Sequence, residues 1–131
     1  MSFIIDGMDQ NHCRIPQPGA DLIYPGEPVT QHITGVLEHG VGLFIYRNFD
    51  NISKGANLTI YCILRQLERF LIDNKKFPEE IYIQLDGGSE NANRCVLGFL
   101  ELLIARRMAR KIIFTRLPVG HTHEDIDGCF G

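Results

Sequence analysis

The chain reads as a single α/β domain. The expected architecture is a mixed five-stranded sheet with helices on both faces, in the order β-β-β-α-β-α-β-α, its last helix cut short. Three observations predict it. The length of 131 residues is that of one domain. The hydrophobic pattern changes once, from short β-rich runs up to about residue 46 to helical stripes that alternate with strands. The composition, 44% hydrophobic and 22% charged, is that of an ordinary globular protein and excludes disorder and fibrous repeats.

Each element has its own signal. Phe3-Ile4-Ile5 is an apolar run that meets a turn at Asp6-Gly7. Pro16, Pro18, Pro25 and Pro28 then forbid a helix or a central strand, so residues 13 to 29 are expected to form an excursion. Ile33 to Val36 and Leu43 to Tyr46 flank Gly40 and Gly42 as a hairpin, and the first three strands make a meander. From Ala56 to Asn74 the apolar residues Ile60, Ile63, Leu64, Leu67, Phe70 and Leu71 keep helical spacing. Arg65, Gln66, Glu68 and Arg69 fill the opposite face. Ile81 to Leu85 is a fourth strand that stops at Asp86-Gly87-Gly88. Asn91 to Arg107 is a second helix with Val96, Phe99, Leu100, Leu103 and Ile104 as its stripe. Lys111 to Leu117 is a fifth strand ended by Pro118, and Gly120 to Gly131 turns into a third helix. A strand–helix–strand unit in one sheet crosses over right-handed.

Several classes fall away. No apolar run approaches the roughly 18 residues needed to span a bilayer. Met-Ser-Phe-Ile-Ile-Asp has no basic region followed by a long apolar core, so an intracellular, non-secreted protein is expected. Cys13, Cys62, Cys95 and Cys129 are far apart, without a C-x-x-C pair, and are expected as reduced thiols. Net charge is -3, which argues against a protein that coats nucleic acid. Arg106, Arg107, Arg110, Lys111 and Arg116 could still form a local nucleic-acid patch; the plainer reading is a solvated helix end.

The chemistry-bearing residues sit at strand ends and a helix start. Asp6 ends the first strand, Asp86 ends the fourth, and Glu124, Asp125 and Asp127 follow the fifth. In an α/β sheet such positions gather in the crevice beyond the strand ends. Carboxylates brought together there repel one another, and a divalent cation relieves the repulsion. Each Asp before a Gly is also an ordinary turn residue. For the third acid two residues compete. Thr122 as an N-cap puts Asp125 at a capping-box spacing, which gives Asp125 a structural task that Asp127 lacks. The two differ by about 200° around a helix, so they cannot face the same crevice. Ile126 and Phe130 mark the face turned to the sheet, with Asp127 at its border.

Three blocks carry a resemblance. They are Asp6-Gly7-Met8-Asp9-Gln10, Leu85-Asp86 leading to Glu90-Asn91-Ala92-Asn93-Arg94, and Leu117-Pro118-Val119-Gly120-His121-Thr122-His123-Glu124-Asp125-Ile126-Asp127 with Phe130-Gly131. Together the chain resembles a transposon-derived eukaryotic domain of unknown function, similar to the catalytic cores of DDE transposases and retroviral integrases. The resemblance implies a ribonuclease H-like fold and Mg²⁺- or Mn²⁺-dependent cleavage and strand transfer of DNA, at a two-metal site, in an active or decayed copy. It implies Asp6, Asp86 and Asp127 as metal ligands and catalytic acids, with Asp125 the competitor for the third place. His121, His123, Glu90, Asn91 and Asn93 are then expected around those ligands or against the substrate. The implied partner is DNA, as transposon ends or target, in the nucleus; no membrane is involved and self-association is left open. Because the last helix has barely begun at Gly131, the chain is read as a fragment of a longer protein.

Two other readings stay open. One is a domesticated domain that keeps the fold and binds nucleic acid or protein without turnover. The other is a zinc hydrolase, since His121, His123 and Asp125 make the H-x-H-x-D opening of a metallo-β-lactamase-type site. That motif continues with His, and here Ile126 follows.

Overall fold

The computed structural model describes residues 1–8, 14–15, 29–49, 52, 55–85, 94–116 and 126. They form strands β1 (Ser2–Gly7), β2 (Arg14–Ile15), β3 (Val29–Glu38) and β4 (Gly42–Phe49), helix α1 (Ala56–Asn74), strand β5 (Glu80–Leu85), helix α2 (Arg94–Ala105) and strand β6 (Lys111–Arg116). The five long strands lie in the order β4-β3-β1-β5-β6. β3 runs antiparallel to both β4 and β1, which makes the expected meander, while β1, β5 and β6 are mutually parallel. The class is therefore α/β with a mixed sheet.

The first helical stretch thus carries the chain from edge strand β4 over to β5, which docks beside β1. Ile5 is level with Leu85, and Leu85 with Arg116. Phe3, Ile5, Ile81, Ile83, Leu85 and Val36 turn to one face by the two-residue period of a strand. There they pack with Cys62, Ile63 and Leu67 of α1 and Val96, Leu100 and Leu103 of α2. Both described helices thus cover the same face. The helix expected beyond residue 120 lies outside the described residues, apart from Ile126, which is 1% exposed. On the opposite face of β1, Ile4 is buried too, so this strand is shielded from both sides.

Where the elements differ from the sequence reading, hydrogen bonding or local geometry decides. Strands β3 and β4 extend through Gln31, His32, Arg47 and Asn48, polar residues held in a continuous ladder from Gln31↔Phe49 to Glu38↔Gly42. The proline-rich excursion contains β2, which pairs Arg14 with Thr30 and Ile15 with Val29. Gly40, at φ 77, supplies the left-handed turn between β3 and β4. Helix α2 ends at Ala105 because Arg107 adopts φ 56; Arg107 N–H donates to Ile104 and Met108 N–H to Leu103, a left-handed terminus that closes the last turn. The buried face of α1 is rotated from its apolar stripe: Thr59 and Gln66 are buried while Leu64 is exposed. No described helix is long and apolar enough to cross a membrane.

Candidate functional site

Parallel strands bring their carboxyl ends to one side of the sheet, and β1, β5 and β6 end together at Asp6-Gly7, Leu85 and Arg116. Asp6 is half-buried and level with Gly35 of β3. Its Oδ1 accepts the N–H of Gly7 at 2.7 Å, the local bond of a turn-forming aspartate. The ladder continues one step further, with Met8 N–H donating to the Ile33 carbonyl at 2.9 Å. A Cβ built on Gly7, on the face of β1 opposite to Asp6, meets no described residue within 4 Å. Asp6 therefore stands at the mouth of the sheet, at the carboxyl end of β1.

Of the other residues singled out in the sequence, Asp86, Glu90, Asn91, Asn93, His121, His123, Glu124, Asp125 and Asp127 lie outside the described residues. Among the described residues no three histidines, cysteines or acids converge as a metal-ligand group.

The five cations do not gather in one place. Arg106 and Arg107 close α2, and Arg110 and Lys111 open β6, at the amino ends of the parallel strands. Arg116 stands at the other end of β6, five steps or roughly 16 Å along a strand, on the side of Asp6. All five side chains are exposed. Arg110 is engaged with Glu80, Nη2 to Oε1 at 2.7 Å, an exposed pair of small energetic weight. Sequence proximity mapped onto a strand therefore separates Arg116 from the other four by the length of β6.

Reading the sequence also missed a polar cluster on the core side of β3 and β4. Glu38, 3% exposed, is paired with Arg69 of α1, whose guanidinium also lies 4.5 Å over the ring of Phe44. Gln66 Nε2 donates to Tyr46 Oη at 2.9 Å, and the rings of Tyr46 and Tyr61 meet edge-on at 6.0 Å. Burial raises the Tyr46 hydroxyl above its ordinary value, more than the Gln66 bond lowers it. Beside them burial pushes the Cys62 thiol up to about 12, leaving it protonated and unreactive, whereas Cys95 on α2 is exposed. The signal for this cluster was present, a Glu at the end of a strand and an Arg on a helix, but periodicity assigned Gln66 and Arg69 to solvent. At the opposite end from Asp6, Ser2 Oγ and His39 Nδ1 are 2.8 Å apart in an exposed pair.

No curated protein and no solved structure is detectably similar to this sequence. A family profile does match residues 24–131, a span that begins ahead of β3 and leaves β1 and Asp6 outside it. That span is most of the chain, and the chain belongs to the family described as domain of unknown function DUF7869.

Proposed function

We propose that this chain is a ribonuclease H-like, DDE transposase-derived domain that carries out divalent-metal-dependent phosphoryl transfer on DNA. One observation carries the reading: β1 and β5 are parallel neighbours with Ile5 level with Leu85. Asp6 follows Ile5 on β1, and Asp86 follows Leu85, the last residue of β5, in the sequence. Neighbouring strands stand about 4.8 Å apart, a spacing at which two carboxylates can share metal ions about 4 Å apart. The order of the five long strands also agrees with a three-strand meander extended by crossover units, which is what sets those two strands side by side.

The donor chemistry fits hard cations. Asp6 offers carboxylate oxygen at the carboxyl end of β1, and Asp86 and Asp127 would complete an all-oxygen set suited to Mg²⁺ or Mn²⁺ rather than Zn²⁺. When bound, such ions activate an attacking oxygen and stabilise the leaving one. The chain's own part is to hold three acids at fixed strand and helix ends, with Gly7 fixing one oxygen of Asp6. No covalent protein intermediate is required.

A second reading, a DNA-binding domain without turnover, draws on the cations. Arg106, Arg107, Arg110 and Lys111 stand at the far end of the sheet from Asp6, where they could hold a duplex without presenting it to the acids. Nicking of a labelled duplex with Mn²⁺, set against binding by fluorescence anisotropy, separates the two. Phosphoryl transfer requires nicking that Asp86→Asn removes while binding persists. Binding without nicking, weakened by Arg106→Glu with Arg107→Glu, favours the second.

A further inference from the structure

The edge of the sheet is β4, which pairs with β3 along one side and with no described residue along the other. The edge carries few of the usual protections against pairing. Its eight residues include no proline and no bulge, Arg47 is their one charged side chain, and Ile45 at the middle is 61% exposed. A groove of about 300 Å³ follows this edge, lined by Phe44, Ile45 and Tyr46 of the strand and by Arg65, Glu68 and Ile72 of α1.

The residues along the edge are self-complementary about a two-fold axis. Gln66 bonds Tyr46 and Arg69 lies over Phe44, so Ile45 is level with α1 between Gln66 and Arg69. An axis normal to the sheet, placed beside Ile45, sets Ile45 against its counterpart in a second copy and Phe44 against Tyr46. The same rotation runs the two α1 helices antiparallel. It places Arg65 opposite Glu68 and the exposed Tyr61 opposite the exposed Ile72, each pairing made twice. Opposite charges therefore meet where the groove is polar, and apolar groups meet at its ends.

The spacing also works. Helix α1 touches Glu38 on β3 and Phe44 and Tyr46 on β4, so it rides over both strands. With strands about 4.8 Å apart, two such helices stand about 10 Å from each other across the axis, a normal helix-packing distance.

We propose that the chain forms a two-fold homodimer through β4, joining two five-strand arrays into one continuous sheet with the α1 helices paired antiparallel beside the seam. This assembly rests on the β4 edge and α1, and stands independently of the phosphoryl-transfer reading. Its test is sedimentation velocity of the full chain across a hundredfold range of concentration, with circular dichroism recording the fold. The chain itself sediments as a dimer. Ile45→Lys, which sets two ammonium groups against each other at the axis, weakens the dimer at least tenfold while the helical signal is kept, because this side chain is exposed. Arg65→Glu and Glu68→Arg each sediment as monomers alone, yet mixed they form a one-to-one heterodimer. The Arg65–Glu68 pair within one helix cannot produce that rescue. A chain that is monomeric throughout, a dimer indifferent to all three substitutions, or a mixture that stays monomeric would overturn the proposal.

Discussion

Arg69→Met removes the partner of Glu38, the most deeply placed charge among the described residues. Glu38 has a side chain only 4% exposed, and Arg69 is the cation paired with it; the guanidinium keeps 27% exposure and is shared with Asp73. Removing a partner from a buried charge costs about 3–5 kcal/mol. Partial exposure of Arg69 sets the expectation at the lower end, about 3 kcal/mol at pH 7. For a domain of this size that lowers the melting temperature by about 10–15 °C. Thermal denaturation at pH 7, at matched protein concentration, should show this gap to the parent chain. Glu38→Leu combined with Arg69→Met should cost less than Arg69→Met alone, since an apolar pair carries no unpaired charge. A loss under about 1 kcal/mol for Arg69→Met, or additivity in the double variant, would refute the assignment of Glu38 as a charge held by Arg69.

Three further outcomes follow from the packing and the titrations. Ile83→Ala empties a fully buried site between sheet and helices and should cost about 2–5 kcal/mol by urea denaturation. Cys62 titrates near 12 in the folded chain against an ordinary 9, so above pH 9 the unfolded thiol ionises while the folded one does not; stability should fall between pH 9 and 12, and less so in Cys62→Ala. Lys75 closes α1 in a left-handed conformation, φ 58, so Lys75→Gly should raise stability by about 1 kcal/mol in the same assay.

Much of this fold is written in hydrophobic period. The stripe from Ile60 to Leu71 and the run from Ile81 to Leu85 identify their elements without help from the rest of the chain. What period cannot read is a strand made of polar residues. His32 and Asn48 face each other in the β3–β4 ladder because cross-strand bonding, not side-chain hydrophobicity, holds them there. Nor does period register a polar side chain with a buried partner: Gln66 sits 1% exposed because Tyr46 waits beneath it. At the candidate site, an apolar run ending in Asp-Gly was enough to place Asp6 at the carboxyl end of β1. The neighbouring strand was legible only through topology, as the one that a crossover from the meander would reach. The cationic patch misled for a geometric reason. Six residues that are close in sequence span a whole strand, and Arg116 ends up with Asp6 rather than with Lys111.

Sharing of metal ions by Asp6 and Asp86 is measured most directly as Mn²⁺ binding, followed by loss of the free-ion electron paramagnetic resonance signal, for the parent chain and for Asp6→Asn, Asp86→Asn, Asp125→Asn, Asp127→Asn and His123→Ala. The parent chain is expected to bind, with abolition in Asp6→Asn and Asp86→Asn, a marked loss in Asp127→Asn, and only modest weakening in His123→Ala. Asp125→Asn should instead lower the melting temperature by removing a helix cap, worth about 1 kcal/mol. Mn²⁺ binding that survives Asp86→Asn, or tight Zn²⁺ binding kept in Asp86→Asn and lost in His123→Ala, would contradict this sharing.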